Sequence, residues 1–130
     1  MSIEIGLKGR SETVVTEQNT ANAIGSGLVP VFATPYMIAL MENASANSLL
    51  PCLAEDEGSV GTRINVAHSS ATPIGMKVWA ESTVTAVEGK KITFDVAAYD
   101  EAGEIGRGTH ERFIIKPEKF LAKTQAKLDK

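Results

Sequence analysis

Between residues 18 and 54 the chain carries one charged side chain, Glu42, although 22% of all its residues are charged. The first part of this stretch, residues 18–41, has no charge at all. Asn19, Thr20, Asn22, Gly25, Ser26, Gly27 and Pro30 interrupt it, so it does not supply the unbroken apolar helix a bilayer needs. The sequence reads instead as a polar, glycine-bearing loop or short helix up to Pro30, followed by a long helix over residues 34–50. Thr34 then Pro35 is a helix start, because a threonine hydroxyl accepts from the free N–H groups of a first turn and proline at the first position needs no donor. Pro51 closes the helix. Met37, Leu40, Met41, Ala44 and Ser48 keep one face apolar or small at helical spacing, and Ala44, Ser45, Ala46 and Ser48 let a sheet approach closely. Glu42 falls in the middle of this helix. Such a carboxylate should be partly withdrawn from water, which makes it a stronger base or nucleophile.

Before the helix, residues 10–16 are β-prone and form a first strand. After it, an acidic turn at residues 55–58 leads to four β-rich runs, residues 61–68, 76–87, 91–99 and 105–115. In the third, Ile92, Phe94, Val96 and Ala98 alternate with Thr93, Asp95, Ala97 and Tyr99, the period of a half-buried strand. Glu88-Gly89 and residues 100–104 are hairpin connections. Residues 117–130 form a terminal helix with Phe120, Leu121, Thr124 and Leu128 on one side and a solvated row of Lys119, Lys123 and Lys127 on another. The predicted class is α+β, with a strand, a long helix, a four-stranded antiparallel meander and a terminal helix forming one domain over residues 1–130. At 130 residues, folding buries about two-thirds of the extended chain's surface. A sheet wrapped around one helix satisfies that pattern.

Thirteen basic against sixteen acidic side chains give a net charge of -3, which argues against general attraction to nucleic acid. The one cysteine, Cys52, excludes an intramolecular disulfide and a cysteine-rich zinc site, and fits a reducing cytoplasm. The first ten residues lack a signal peptide's apolar core. His68 and His110 have no nearby acidic or cysteine spacing that would mark a metal site. No nucleophile elbow, P-loop or dinucleotide fingerprint is present. His68 ends a strand among Ser69, Ser70 and Thr72, which makes a polar pocket rim, whereas His110 reads as structural. The chemistry-bearing set is then Thr34, Glu42 and His68, a hydroxyl, a carboxylate and an imidazole suited to acyl transfer.

The segments VFATPYMIALMENA, GSVGTRINVAHSSATPIGMKV and EIGRGTHERFII followed by EKF resemble the fluoroacetyl-CoA thioesterase-like branch of the hotdog-fold acyl-CoA thioesterases, over residues 29–120. The resemblance implies a homodimeric hotdog fold, with pairing of dimers into tetramers left open. It implies hydrolysis of an acyl-CoA to a free acid and CoA, with Thr34, Glu42 and His68 as catalytic residues. It also puts at Gly61 the backbone amide that contacts the thioester carbonyl. Arg112 matches the family as well and receives no catalytic role. Where fluoroacetyl-specific members carry bulky phenylalanines over the acyl pocket, this chain has Ile24-Gly25-Ser26-Gly27-Leu28, so the expected substrate is a short-chain or unusual acyl-CoA, with Leu28 beside it. Glu42 then acts as nucleophile or as general base for water. His68 polarises the carbonyl or protonates the departing thiolate, and Thr34 positions a carboxylate or the substrate. No cofactor is needed, because a thioester is already an activated acyl group. The alternatives are a non-catalytic acyl-thioester binding protein of the same fold and, behind it, a hydratase, whose Asp-x-x-x-x-His motif is missing. Eight residues rise about 12 Å along a helix, so Thr34 and Glu42 meet only if Thr34 folds back or a second chain completes the site.

Overall fold

The computed structural model describes residues 2–129. Five antiparallel strands form one sheet: β1 (Lys8–Val14), β2 (Gly58–His68), β3 (Lys77–Glu88), β4 (Lys91–Asp100) and β5 (Gly103–Ile115). A short helix α1 (Ala21–Ile24) and the long α2 (Thr34–Leu49) lie between β1 and β2, and α3 (Pro117–Gln125) follows β5. Lys130, the end of the expected terminal helix, lies outside the described residues.

The spatial order is β1-β3-β4-β5-β2. Only β3, β4 and β5 form a meander. The expected four-stranded meander fails at β2, which pairs with β5 instead of β3 and takes one edge of the sheet. The connection from β2 to β3 is an extended passage held by bridges such as Val31 to Pro73, where a tight turn would have been needed for a hairpin. The first strand begins two residues earlier than expected, since Lys8 and Gly9 pair with Thr83 and Ser82. It stops at Val14, and Thr16 instead caps a following turn by accepting from the Gln18 N–H.

Helix α2 lies across the inner face of the sheet. Met37, Leu40, Met41, Ala44, Ser45, Ser48 and Leu49 are buried there, which is the face the sequence marked. Across from it, Val78, Ala80, Val84, Ile92, Phe94, Val96 and Ala98 complete the core. The small residues work as expected: a methyl built on Gly9 of β1 would overlap the Ala44 carbonyl oxygen and stand 2.8 Å from Ser48 Cβ. Strand and helix approach closely there because neither has a side chain in the way. Register shifts between Gly61 and Arg63, Val84 and Ala86, and Ala98 and Tyr99 mark irregularities of the kind that bend strands, letting the sheet curve around the helix.

Two turns behave differently from each other. Gly89, at φ 64°, closes the β3–β4 hairpin. At the β4–β5 turn the Asp100 carboxylate accepts from the Ala102 and Gly103 amides and from the buried Thr72 hydroxyl, so a buried polar group has its partners. No residue of α3 is buried, and Leu121 of α3 and Leu128 of the turn after it stand 56% and 82% exposed, so most of the expected apolar side is uncovered within a single chain.

Candidate active site

Thr34 is the first residue of α2 and, contrary to the expected cap, its hydroxyl does not bond the first turn. Ala33 occupies the capping position without a side-chain bond, and Thr34 Oγ1 lies 2.7 Å from His68 Nδ1. Pro35 removes one free amide from that turn, which leaves the hydroxyl available for the imidazole. His68 ends β2, and with Thr34, Ser26, Phe32 and Ser70 it lines a cavity of about 230 Å³. Burial holds the His68 pKa below the ordinary histidine value, with the Ser70 backbone pulling the other way. The ring is therefore neutral at pH 7. Its Nε2 is buried and has no hydrogen-bond partner in the single chain. A buried polar atom left unpaired is costly, and this one is free to meet a reacting group.

Glu42 lies two turns further along α2, at a different cluster. Its carboxylate reaches Gly61 of β2, where a built Cβ would stand 2.6 Å from Glu42 Oε2, 3.1 Å from His110 Cε1 and 3.4 Å from Arg112 Nη1. Only a glycine leaves the carboxylate this room. Arg112 Nη1 is 3.9 Å from Glu42 Oε2. Glu42 is partly withdrawn from water, as expected, its side chain being 41% exposed, while the arginine beside it is 9% exposed. Burial disfavours the charged form of Arg112 and the Glu42 carboxylate opposes that effect. The guanidinium nonetheless stays cationic near neutral pH, because arginine's proton is so tightly held.

Arg112 does not move freely. Its Nε donates to Ser59 Oγ at 2.9 Å, its Nη2 donates to the Ser59 carbonyl at 3.1 Å, and its Nη1 lies 3.2 Å from His110 Nε2. Sequence reasoning missed Ser59, and it named His110 as structural and Arg112 as non-catalytic without placing them beside Glu42. One signal pointed to them: His110 and Arg112 are two apart on a strand, which places both on one face, and that face is the inner one. Leu28 is 95% exposed and is not among the residues lining the Thr34–His68 cavity, where Ser26 of the same loop is found.

The expected set is therefore divided. Thr34 and His68 are together, Glu42 and Gly61 are together, and the two pairs are separated by about 12 Å of helix. Among the described residues no cluster of His, Cys, Asp and Glu is able to hold a metal ion, and no helix is long and apolar enough to cross a membrane.

A family model described as fluoroacetyl-CoA-specific thioesterase matches residues 15–118. A fluoroacetyl-CoA thioesterase of Streptantibioticus cattleyicolor is 46% identical over 97 residues, covering 75% of this chain and 70% of that protein. Among solved structures, that of the fluoroacetyl-CoA thioesterase FlK superposes with a TM-score of 0.92 at 37% identity over 98% of both chains. A thioesterase superfamily member from Thermus thermophilus gives 0.90 at 32% identity, covering 98% of this chain and 95% of its own.

Proposed function

The chain belongs to the fluoroacetyl-CoA-specific thioesterase family and is an acyl-CoA thioesterase of hotdog fold, and from that footing we propose that it hydrolyses short-chain acyl-CoA at a Thr34, Glu42 and His68 site completed by a second copy of itself. The observation that carries the reading is the division of the site: a neutral imidazole with an unpartnered Nε2 at one end of α2, and an accessible carboxylate against Gly61 at the other. In this reading Glu42 either attacks the thioester carbonyl carbon, forming a mixed anhydride as CoA thiolate leaves, or takes a proton from a water that makes the same attack. Thr34 O–H donates to His68 Nδ1, so Nε2 carries the neutral ring's proton and donates a hydrogen bond to the sulfur, which departs as CoA thiolate. In the anhydride branch water then adds to the acyl carbon and releases the free acid and the Glu42 carboxylate. The Gly61 amide donates to the carbonyl oxygen as negative charge builds on it.

The sheet edge supports the second copy. Strand β2, eleven residues long, has β5 on one side only, so the backbone donors and acceptors of its alternate residues face outward along a free edge. Antiparallel pairing of two such edges about a two-fold axis would bring His68 of one chain toward Gly61 of the other, giving two equivalent sites. Further pairing into a tetramer remains a separate matter of the outer surfaces. The free, half-buried Cys52 suits a reducing cytoplasm.

The acyl group we assign is acetyl- to propionyl-sized. Support comes from the loop over residues 24–28, where Gly25 at φ 79°, Gly27 and an outward Leu28 present no bulky group to the cavity. A panel of acyl-CoA thioesters followed by release of free thiol tests the activity, since an acyl-thioester binding protein would saturate without product. Mixing inactive Glu42→Gln and His68→Ala proteins tests the shared site. Random exchange should restore about a quarter of wild-type activity, because half the dimers are mixed and each mixed dimer holds one intact site. No recovery after proven subunit exchange would place all the groups in one chain.

A further inference from the structure

His110 is 1% exposed on β5, and no step of the hydrolysis uses it. Its surroundings nevertheless dictate its chemical form. Nδ1 lies 2.7 Å from the Arg63 carbonyl oxygen, which accepts only, so Nδ1 carries the proton and donates it. Nε2 lies 3.2 Å from Arg112 Nη1, which donates only, so Nε2 keeps its lone pair and accepts. Phe94 of β4 stacks on the ring, with centroids 6.0 Å apart and planes 27° from parallel, and the two hydrogen bonds then choose which edge faces Arg63 and which faces Arg112. Ser59 holds the Nε–Nη2 edge of Arg112, and the bond to His110 adds the third point that keeps the guanidinium plane from tilting about that edge, with Nη1 the donor facing Glu42.

We propose that His110 is a positioning residue for thioester hydrolysis, a neutral acceptor that aims Arg112 Nη1 at the Glu42 carboxylate and, through the Arg63 carbonyl, fixes the irregular turn of β2 that carries Gly61. The inference rests on Glu42 being the reacting carboxylate. Protonation of His110 removes the acceptor and sets a cation against Arg112, so the arrangement has an acid limit. The charged groups acting on His110 are Arg112 and Glu111 from β5 and Glu42 from α2, while β2 contributes the Arg63 carbonyl and β4 the uncharged Phe94 ring. Burial, together with Arg112, keeps the imidazole neutral near pH 7, against the opposing pull of the Arg63 carbonyl and the two carboxylates.

The test separates the two ring nitrogens. Asparagine at this position keeps a donor near Nδ1 and loses the acceptor, whereas glutamine places an acceptor near Nε2. His110→Asn should lower kcat for acetyl-CoA by about 10²-fold with little change in KM, and His110→Gln should recover at least about tenfold of that loss while dropping one protonation step from the acid side of the kcat profile. A purely structural role would depress both variants in proportion to their loss of thermal stability. Equal rates for Asn and Gln, or a loss confined to KM, overturns the inference. Glu42→Gln is assayed beside them. Wild-type turnover in that variant removes the reading of the reacting carboxylate and the inference with it, whereas loss there with equal Asn and Gln rates removes the inference alone. Proton–nitrogen correlation NMR of the wild-type protein needs no variant at position 110 to fold. Of the two histidines, the one that remains in His68→Ala should show a protonated Nδ1 and a bare Nε2. The opposite tautomer overturns the proposal.

Discussion

Gly61→Ala is the substitution whose consequence the geometry determines most closely. The added methyl would stand 2.6 Å from Glu42 Oε2, and ordinary contact begins near 3.4 Å, so the carboxylate must retreat by about 0.8 Å. It is able to do so. The obstruction is the far end of a flexible side chain that is 41% exposed, and swinging it outward breaks no buried packing. His110 Cε1, at 3.1 Å, has less freedom, since its ring is bonded at both nitrogens, so the strand itself gives by a few tenths of an ångström. Overpacking relieved in this way costs about 1 kcal/mol, a few degrees in Tm. Catalysis should suffer much more, because displacing a reacting group by close to 1 Å costs about 10²-fold in rate, near 2.7 kcal/mol of barrier. The assay is thiol release from acetyl-CoA at saturating substrate, with a thermal melt of the same preparation. If kcat stays within about threefold of wild type while the melt moves by a few degrees, the carboxylate's seat against Gly61 is irrelevant to turnover and the reasoning fails.

Glu42→Gln, nearly isosteric and uncharged, should cut hydrolysis by at least about 10²-fold with CoA affinity, measured by calorimetry, largely kept. Because no bulky side chain of residues 24–28 covers the cavity, competition between acetyl- and fluoroacetyl-CoA should give a kcat/KM ratio below about 10³, some 4 kcal/mol, and a larger preference would contradict the substrate reading. His68 and His110 both have pKa values lowered by burial, so around their ordinary value of 6.5 the folded protein binds fewer protons than the unfolded chain. Their contribution to stability is then complete above pH 6.5 and lost as pH falls through the lowered values. Melts across that range should show Tm dropping toward acid in the wild type and dropping less in His110→Gln.

The elements that sequence reasoning found are those whose signal is local. Alternation over residues 91–99 and the small and apolar face of residues 37–48 each follow from a period that the residues themselves carry, and burial agrees with both. What it missed depends on partners far away in the chain. No local feature states that β2 pairs with β5, and that pairing, joining residues about 50 apart, brings Ser59 and Gly61 to Arg112. The degree of Glu42's partial burial is likewise set by distant partners, since it sits at the margin of α2's covered face, next to the edge strand β2. The cap expected of Thr34 does not form. Thr34 does begin the helix, but the hydroxyl that would have capped the helix bonds His68 instead, a use visible only once β2 lies beside α2.

The register shift in β2 explains how one edge strand serves both halves of the site. Gly61 and His68 are seven residues apart, and in a regular strand an odd separation puts two residues on opposite faces. Here Gly61 is opposite Arg112 and Arg63 is opposite Glu111, so Thr62 is an extra residue and the alternation is reset once between the two. Both Gly61 and His68 therefore face α2, one against Glu42 and the other against Thr34. Beside the same irregularity, the Arg63 carbonyl accepts from His110. Seven residues of strand span about 23 Å and eight of helix about 12 Å, so no single α2 and β2 bring all four groups to one point. The two-fold pairing of β2 edges proposed above would resolve this without further distortion, since it would set the Gly61 end of one strand beside the His68 end of another. The bulge, which looks like a local defect, is then what makes both ends of the strand usable on the same face.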